Sequence, residues 1–147
     1  KLQPSEEKKT GYERVAKPSV YFYVSYNDKV DTTIEDCYDV DDECYESANY
    51  YSDKTVAENN ARADKLMRQI RRFAVQNRER EVDFNDTNTE KYYIYYDYGN
   101  DELKTVFTFY AKTFGTILFD SEETAQAAIN EFRDELIWYF TEYKDSL

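Results

Sequence analysis

The chain contains no histidine at all, and cysteine, glycine and proline are scarce. Its 147 residues include two Cys, three Gly and two Pro. Without histidine, Ser-His-Asp and Cys-His catalytic arrangements and zinc sites of the histidine type are impossible within the chain. The glycines stand singly at 11, 99 and 115, so no glycine-rich phosphate loop exists. We therefore expect a protein that is not an enzyme, with no cofactor and no metal site.

Long apolar runs are also absent, and cations are outnumbered by carboxylates. No run approaches the roughly 18 apolar residues that a membrane-spanning helix needs. The net charge is −12, with 31 Asp and Glu against 19 Lys and Arg, and aromatic residues make up 18% of the chain. Acidic disordered chains are poor in aromatic residues, so this composition indicates a folded protein.

The strongest local feature is a concentration of acid between residues 28 and 46. This acidic stretch holds nine carboxylates and a single cation, Lys29: Asp28, Asp31, Glu35, Asp36, Asp39, Asp41, Asp42, Glu43 and Glu46. Such self-repulsion must be offset by cations of the fold, by a metal or by a basic partner. Residues 39–43 resemble the start of a calcium loop, but Cys44 fills the position that requires glycine, and the closing Glu is missing.

Strand-forming and helix-forming patterns alternate along the chain. After a loose lead-in over 1–17, β-branched and aromatic residues predict strands over 20–26 and 31–38, an acidic turn at 39–43, and a third strand near 44–51. A helix capped by Ser52 or Asp53 follows, with apolar spacing to about residue 78. A polar connector covers 79–90. Strands are then predicted over 91–98, 103–110 and 114–119, before a second helix capped by Asp120 or Ser121.

The same order of elements thus occurs twice. At an offset of 69, Ser52 matches Ser121 and Thr55 matches Thr124, which fits either an internal duplication or two ordinary units of one type. The pattern predicts an α+β fold, with antiparallel sheet, two helices and a β-β-β-α unit that is duplicated. We expect a first unit over 18–80, a connector over 81–90 and a second unit over 91–147, packed as one domain.

Two cysteines lie on either side of the acidic turn. Cys37 and Cys44 are interpreted as free thiols, and the alternative is a cross-strand disulfide around the turn.

Cations gather on the first predicted helix. A basic stripe is formed by Arg68, Arg71, Arg72 and Arg78, flanked by Arg62, Lys65 and Arg80. It fits a nucleic-acid-facing surface or a solvated face that answers the acidic stretch, and the net charge favours the second reading.

Two segments carry a resemblance to known sequences. Residues 48–61 (ANYYSDKTVAENNA) and 114–129 (FGTILFDSEETAQAAI) combine an aromatic strand with a helix start that contains small alanines. In this they resemble uncharacterised small acidic proteins of phages and prophages in Gram-positive bacteria, from which the chain departs by its acidity at 35–46. The resemblance implies a phage-borne accessory gene, expressed in the cytoplasm of the bacterial host, and such genes often encode inhibitors of host defence.

Three functions remain open at this point. The first is an acidic inhibitor (anti-CRISPR or anti-restriction) that imitates nucleic acid on a basic host nuclease. Its partner-binding residues would be Glu35, Asp36, Tyr38, Asp39, Asp41, Asp42, Glu43, Tyr45 and Glu46. The second is direct binding of nucleic acid through the basic stripe, which the net charge disfavours. The third is a structural or assembly protein, including a homodimer through Ile137, Trp138 and Phe140. No contact with a membrane is expected.

Overall fold

The computed structural model of the protein describes residues 8–147, and it confirms an α+β fold. The described residues form two two-stranded antiparallel sheets and three helices, one helix more than predicted. The chain divides into two compact units: the residues up to Lys65 together with Tyr143–Leu147, and Leu66–Glu142. None of the helices described is long and apolar enough to cross a membrane.

The first unit begins with a β-hairpin. Strands β1 (Val20–Val24) and β2 (Val30–Ile34) pair antiparallel, with Val20 opposite Ile34. The turn closes where the Ser25 amide donates to the Lys29 carbonyl at 2.8 Å, and Asp28 adopts a φ of 62°, a conformation that Asp tolerates. Both strands therefore end earlier than the predicted ranges 20–26 and 31–38.

Helix α1 (Asp39–Glu46) replaces the predicted acidic turn and the first three residues of the predicted third strand. Tyr38 has extended backbone at the N-cap, and its amide donates to the Asp41 carboxylate at 3.0 Å. Asp39, Asp41 and Asp42 occupy the first turn, where the exposed amides and the helix dipole favour negative charge. The same acids that suggested a turn thus stabilise a helix N-terminus.

Helix α2 (Lys54–Asn77) confirms the first predicted helix. Asp53 is its cap, because its carboxylate accepts a hydrogen bond from the Val56 amide at 2.9 Å. The division between the two units falls inside this helix, after Lys65.

The second unit repeats the hairpin. Strands β3 (Lys91–Asp97) and β4 (Glu102–Thr108) pair antiparallel, and α3 (Glu122–Thr141) follows with Ser121 as its cap. Buried side chains of α2 and α3 form the core of this unit with Phe119: Leu66, Ile70, Ala74, Ala125, Ala128, Ile129 and Leu136. Non-helical backbone at Phe132 kinks α3.

The third strand of each predicted β-β-β-α unit is reduced to one bridging residue. Tyr51 bridges to Phe22 of β1, and Phe119 bridges to Tyr92 of β3, both antiparallel. Each bridge lies two residues before the helix cap, Asp53 or Ser121. Since 119 − 51 and 121 − 53 both equal 68, the units correspond at an offset of 68, and the predicted offset of 69 is wrong by one residue.

The described part of the lead-in, residues 8–17, is fastened to the first unit, whereas residues 1–7 of the predicted loose segment lie outside the described residues. The Glu13 carboxylate accepts hydrogen bonds from the Thr10 and Gly11 amides and from the Ser52 hydroxyl. Gly11 has a φ of +97°, and a β-carbon added there would lie 2.7 Å from a methyl group of Val56.

We predict that Gly11→Ala destabilises the protein by about 3 kcal/mol, because backbone strain and a collision in the core add together. Gly115→Ala is the matched control, since Gly115 also has positive φ (+78°) but no neighbour within 4 Å of the added carbon. We expect Gly115→Ala to lower the free energy of unfolding by about 1 kcal/mol. Urea unfolding measures both, and equal losses would contradict the collision with Val56.

Candidate partner-binding surface on α1

Four carboxylates of α1 lie on one face of the helix. Asp39, Asp42, Glu43 and Glu46 follow the spacing i, i+3, i+4, i+7, and we call this set the acidic stripe. All four are exposed, and the carboxylates of Asp39, Glu43 and Glu46 receive no hydrogen bond or ion pair from any residue between 8 and 147. The stripe therefore presents three unneutralised charges to solvent.

Asp41 points to the opposite side of α1 and is buried, with 2% of its surface exposed. Its carboxylate accepts hydrogen bonds from the Tyr21 hydroxyl at 2.8 Å and from the amides of Asp36 and Tyr38. The Tyr21 hydrogen bond lowers the pKa of Asp41, against the opposing effect of burial, and further hydrogen bonds assist. Burial and the same hydrogen bond raise the pKa of Tyr21. Asp41 is thus a charged anchor beneath the stripe.

Arg14 pairs with two carboxylates of the acidic stretch. Its Nε lies 2.5 Å from Glu35 Oε1, and one terminal nitrogen lies 2.6 Å from Asp42 Oδ1. The guanidinium also lies 5.4 Å from the centre of the Tyr45 ring. These partners raise the pKa of Arg14. The guanidinium thus connects the end of β2 to α1.

Glu35 is buried, with 1% of its surface exposed, and its two oxygens differ. Oε1 accepts from Arg14 and, at 3.4 Å, from the Tyr50 hydroxyl, whereas Oε2 is buried without a hydrogen-bond partner among the described residues. The Tyr50 ring stacks on Tyr21 at 3.9 Å between centroids. Glu35 can face inward because Arg14 pairs with its carboxylate and the stacked Tyr50 and Tyr21 rings lie beside it.

Large side chains flank the stripe. Tyr38 is 67% exposed, Val40 58% and Tyr45 44%. Apolar and aromatic surface of this kind, beside charge, is typical of protein-binding patches.

The two cysteines are free thiols. Cys37 lies before α1 and Cys44 lies within it, so the alternative of a disulfide between them is wrong.

The predicted partner-binding residues therefore separate into two groups. Glu35 and Asp41 are buried structural groups, and the expectation that they contact a partner is corrected, because Arg14 and Tyr21 satisfy them from within. Asp36 is half-buried. The exposed members of the predicted set are Tyr38, Asp39, Asp42, Glu43, Tyr45 and Glu46.

Sequence reasoning missed Arg14 and Tyr21. Arg14 lies 21 residues before Glu35 and 28 before Asp42, within the segment expected to be loose, so no local spacing pointed to it. Tyr21 was one aromatic residue among several in a strand pattern.

Three residues of the predicted basic stripe, Arg68, Arg71 and Arg72, are exposed on α2, and Arg78 follows the end of that helix. Arg71, Arg72 and Arg78 form no ion pair with a described residue, and Arg71 and Arg78 line a groove that Arg68 and Arg72 do not line. Arg80 donates instead to the backbone carbonyls of Glu90 and Asp120.

The apolar end of α3 is largely used within its own unit. Trp138 is 9% exposed, and the Phe140 ring stacks on Tyr96 at 5.7 Å. Ile137 is 39% exposed, so of the three residues predicted for a homodimer it alone offers a substantial surface.

Neither metal-binding geometry nor similarity to known proteins adds a further assignment. Within 8–147 no group of three or more Cys, Asp or Glu side chains lies close enough to hold an ion, and the calcium-loop-like residues 39–43 belong to the helix α1. Comparison with family models, with curated proteins and with solved structures found no match to this chain. The candidate surface therefore rests on its geometry.

We predict that Tyr21→Phe destabilises the protein by about 2 kcal/mol at pH 7, since it removes a hydrogen bond to a buried carboxylate. Tyr23→Phe is the control, because Tyr23 lies on the same strand and its hydroxyl has no hydrogen-bond partner among the described residues. We expect a change below about 0.5 kcal/mol there.

The loss of folding stability in Tyr21→Phe should also depend on pH. The pKa of Asp41 is lower in the folded state than in the unfolded state. The stability that its carboxylate contributes is therefore complete above the unfolded-state pKa of about 3.9, and it disappears as the pH falls through the folded-state pKa. The difference between the wild type and Tyr21→Phe, measured by urea unfolding, should therefore shrink below about pH 4. A difference that stays constant to pH 2 would contradict the Asp41 anchor.

Proposed function

We propose that the protein is a non-enzymatic inhibitor that binds the basic, nucleic-acid-binding surface of a host nuclease through the acidic stripe of α1. The proposal includes a phage origin and a role against RNA-guided or restriction defence, which the resemblance of 48–61 and 114–129 suggested. The observation that carries it is the outward stripe, held in place by the buried Asp41 and by the ion pair between Arg14 and Asp42.

Rigidity makes the stripe suitable for this role. Carboxylates at i and i+4 of a helix are separated by about 6 Å along its axis, so Asp39, Glu43 and Glu46 repeat charge along a line of about 10 Å. Asp41 holds the inner side of α1 and Arg14 pairs with Asp42 of the stripe, so little conformational entropy is lost when the other three carboxylates bind. A row of fixed negative charges supports binding to cations that otherwise contact phosphates.

Electrostatic attraction would act before contact. The chain carries a net charge of −12, and complementary fields raise association rates by factors of about 10 to 1,000 at low salt. Tyr38 and Tyr45 then provide aromatic contact area at either end of the stripe. This division of roles supports fast association through charge and slower dissociation through aromatic burial.

The test neutralises the stripe without disturbing its support. The triple variant Asp39→Asn, Glu43→Gln, Glu46→Gln removes three exposed charges and keeps Asp42, which pairs with Arg14. The control triple Glu81→Gln, Glu131→Gln, Asp134→Asn removes three exposed charges elsewhere. Circular dichroism establishes that both variants fold.

We predict that the wild type inhibits DNA cleavage in a panel of purified RNA-guided and restriction nucleases and competes with duplex DNA for its target. At about 0.5 kcal/mol for each exposed charge, the stripe variant should bind roughly tenfold more weakly, whereas the control triple should lose less than about threefold. Inhibition should also weaken as salt rises from 50 to 300 mM.

Three results would contradict the proposal: no inhibition of any nuclease in the panel, equal inhibition by the stripe variant, or binding of the DNA itself by the wild type at the inhibitory concentration. Fluorescence anisotropy with labelled duplex measures the last of these.

A further inference from the structure

The second unit contains a groove of opposite charge to the acidic stripe. Three segments meet there: the C-terminal part of α2, the connector 82–84 and the loop 112–118. The groove has a volume of about 340 Å³ and is lined by Arg71, Arg78 and Lys112 around apolar side chains. We call it the cationic groove.

Two of the cations lie at the C-terminal end of α2. Arg71 is on the helix and Arg78 directly follows its last residue, Asn77, while Ala74 and Val75 of the helix line the groove between them. Val75 is 52% exposed although it is apolar. The end of α2 thus contributes apolar side chains to the groove beside the guanidinium groups of Arg71 and Arg78.

The connector presents its apolar side to the groove. Val82 and Phe84 line the groove, whereas the alternating Glu81 and Asp83 do not. Lys112 Nζ lies 3.6 Å from the centre of the Phe84 ring, and this contact holds the third cation over the opposite wall. The ring itself remains 54% exposed.

The charge of this groove is unusual for the chain. Carboxylates outnumber cations by 31 to 19 in the sequence, yet the eleven lining residues include three cations and no carboxylate. Arg71, Arg78 and Lys112 form no ion pair with any residue of 8–147. Three cations around apolar surface, without a carboxylate partner among the described residues, leave the groove able to receive an anion.

We propose that the cationic groove binds a small organic anion with an aromatic or other apolar body. The guanidinium groups and the ammonium would hold the anionic group, while Val75, Phe84 and Ile117 contact the apolar body. The volume lies at the small end of the range for ligand sites, about 300–1,000 Å³, which limits the ligand to about three rings at most.

A small anion fits this groove better than a nucleic-acid polymer does. A polymer extends well beyond the groove and meets the field of a chain with net charge −12, whereas a bound small anion lies within a Debye length, about 8–10 Å, of the three cations. This inference does not depend on the proposed function of the acidic stripe.

Two dyes that differ only in charge test the proposal. 8-Anilinonaphthalene-1-sulfonate carries a sulfonate on the same aromatic body as the neutral N-phenyl-1-naphthylamine. Fluorescence titration of the wild-type chain should give saturable binding of the sulfonate with one site per chain, and at least about tenfold weaker binding of the neutral dye.

The protein variants form a second matched pair. Arg71→Gln removes a cation that lines the groove, and Arg72→Gln removes the adjacent cation of α2, which does not line it. Both positions are exposed, so both variants should fold, which circular dichroism and thermal unfolding check. We expect Arg71→Gln and Lys112→Gln each to weaken sulfonate binding about tenfold or more, and Arg72→Gln to weaken it less than threefold.

Any of three outcomes would overturn the proposal. They are no saturable sulfonate binding up to 1 mM dye at low salt, equal binding of the two dyes, or equal effects of Arg71→Gln and Arg72→Gln. The stripe variant Asp39→Asn, Glu43→Gln, Glu46→Gln should bind the sulfonate as the wild type does, so failure of this proposal and failure of the proposed function are distinguishable.

Discussion

The guanidinium of Arg14 and the hydroxyl of Tyr21 determine which carboxylates of the acidic stretch face solvent. Burying an ionised carboxylate without a partner is costly, and breaking one half of a buried pair leaves that cost in place. Arg14 offsets it for Glu35, and Tyr21 with two backbone amides offsets it for Asp41. With its inner side satisfied in this way, an eight-residue helix that would be unstable in isolation holds the acidic stripe outward.

The two units share one framework and differ in one connection. Each unit has a hairpin, a residue that bridges to the first strand, and a capped helix. The connection from the second strand to the bridging residue differs between them. In the first unit it contains α1 and the acidic stripe, and in the second it contains Lys112 and the loop that lines the cationic groove. The shared framework is apolar and aromatic, whereas the connection carries the acidic stripe in the first unit and one of the three groove cations, Lys112, in the second.

Local patterns were sufficient for much of the framework and insufficient for the sites. Aromatic runs predict the strands β1 and β3, and apolar spacing predicts the helices α2 and α3. Cap chemistry predicts the start of α3 at Ser121. All of these signals act over a few residues. Helix α1 escaped prediction because it buries one polar side chain, Asp41, and has no apolar periodicity. Arg14 and Lys112 act on residues 21 to 28 positions away, so only the folded chain brings each cation to its partner.

Amide hydrogen exchange in the wild type and in Arg14→Gln, compared at one pH, tests most directly whether Arg14 holds the acidic helix in place. If it does, the amides of 42–47 should exchange about tenfold or more faster in the variant, while those of β3 and β4 keep their wild-type rates. Unchanged protection of 42–47, or a uniform loss across the whole chain, would show that the helix does not depend on this cation, and would contradict the account.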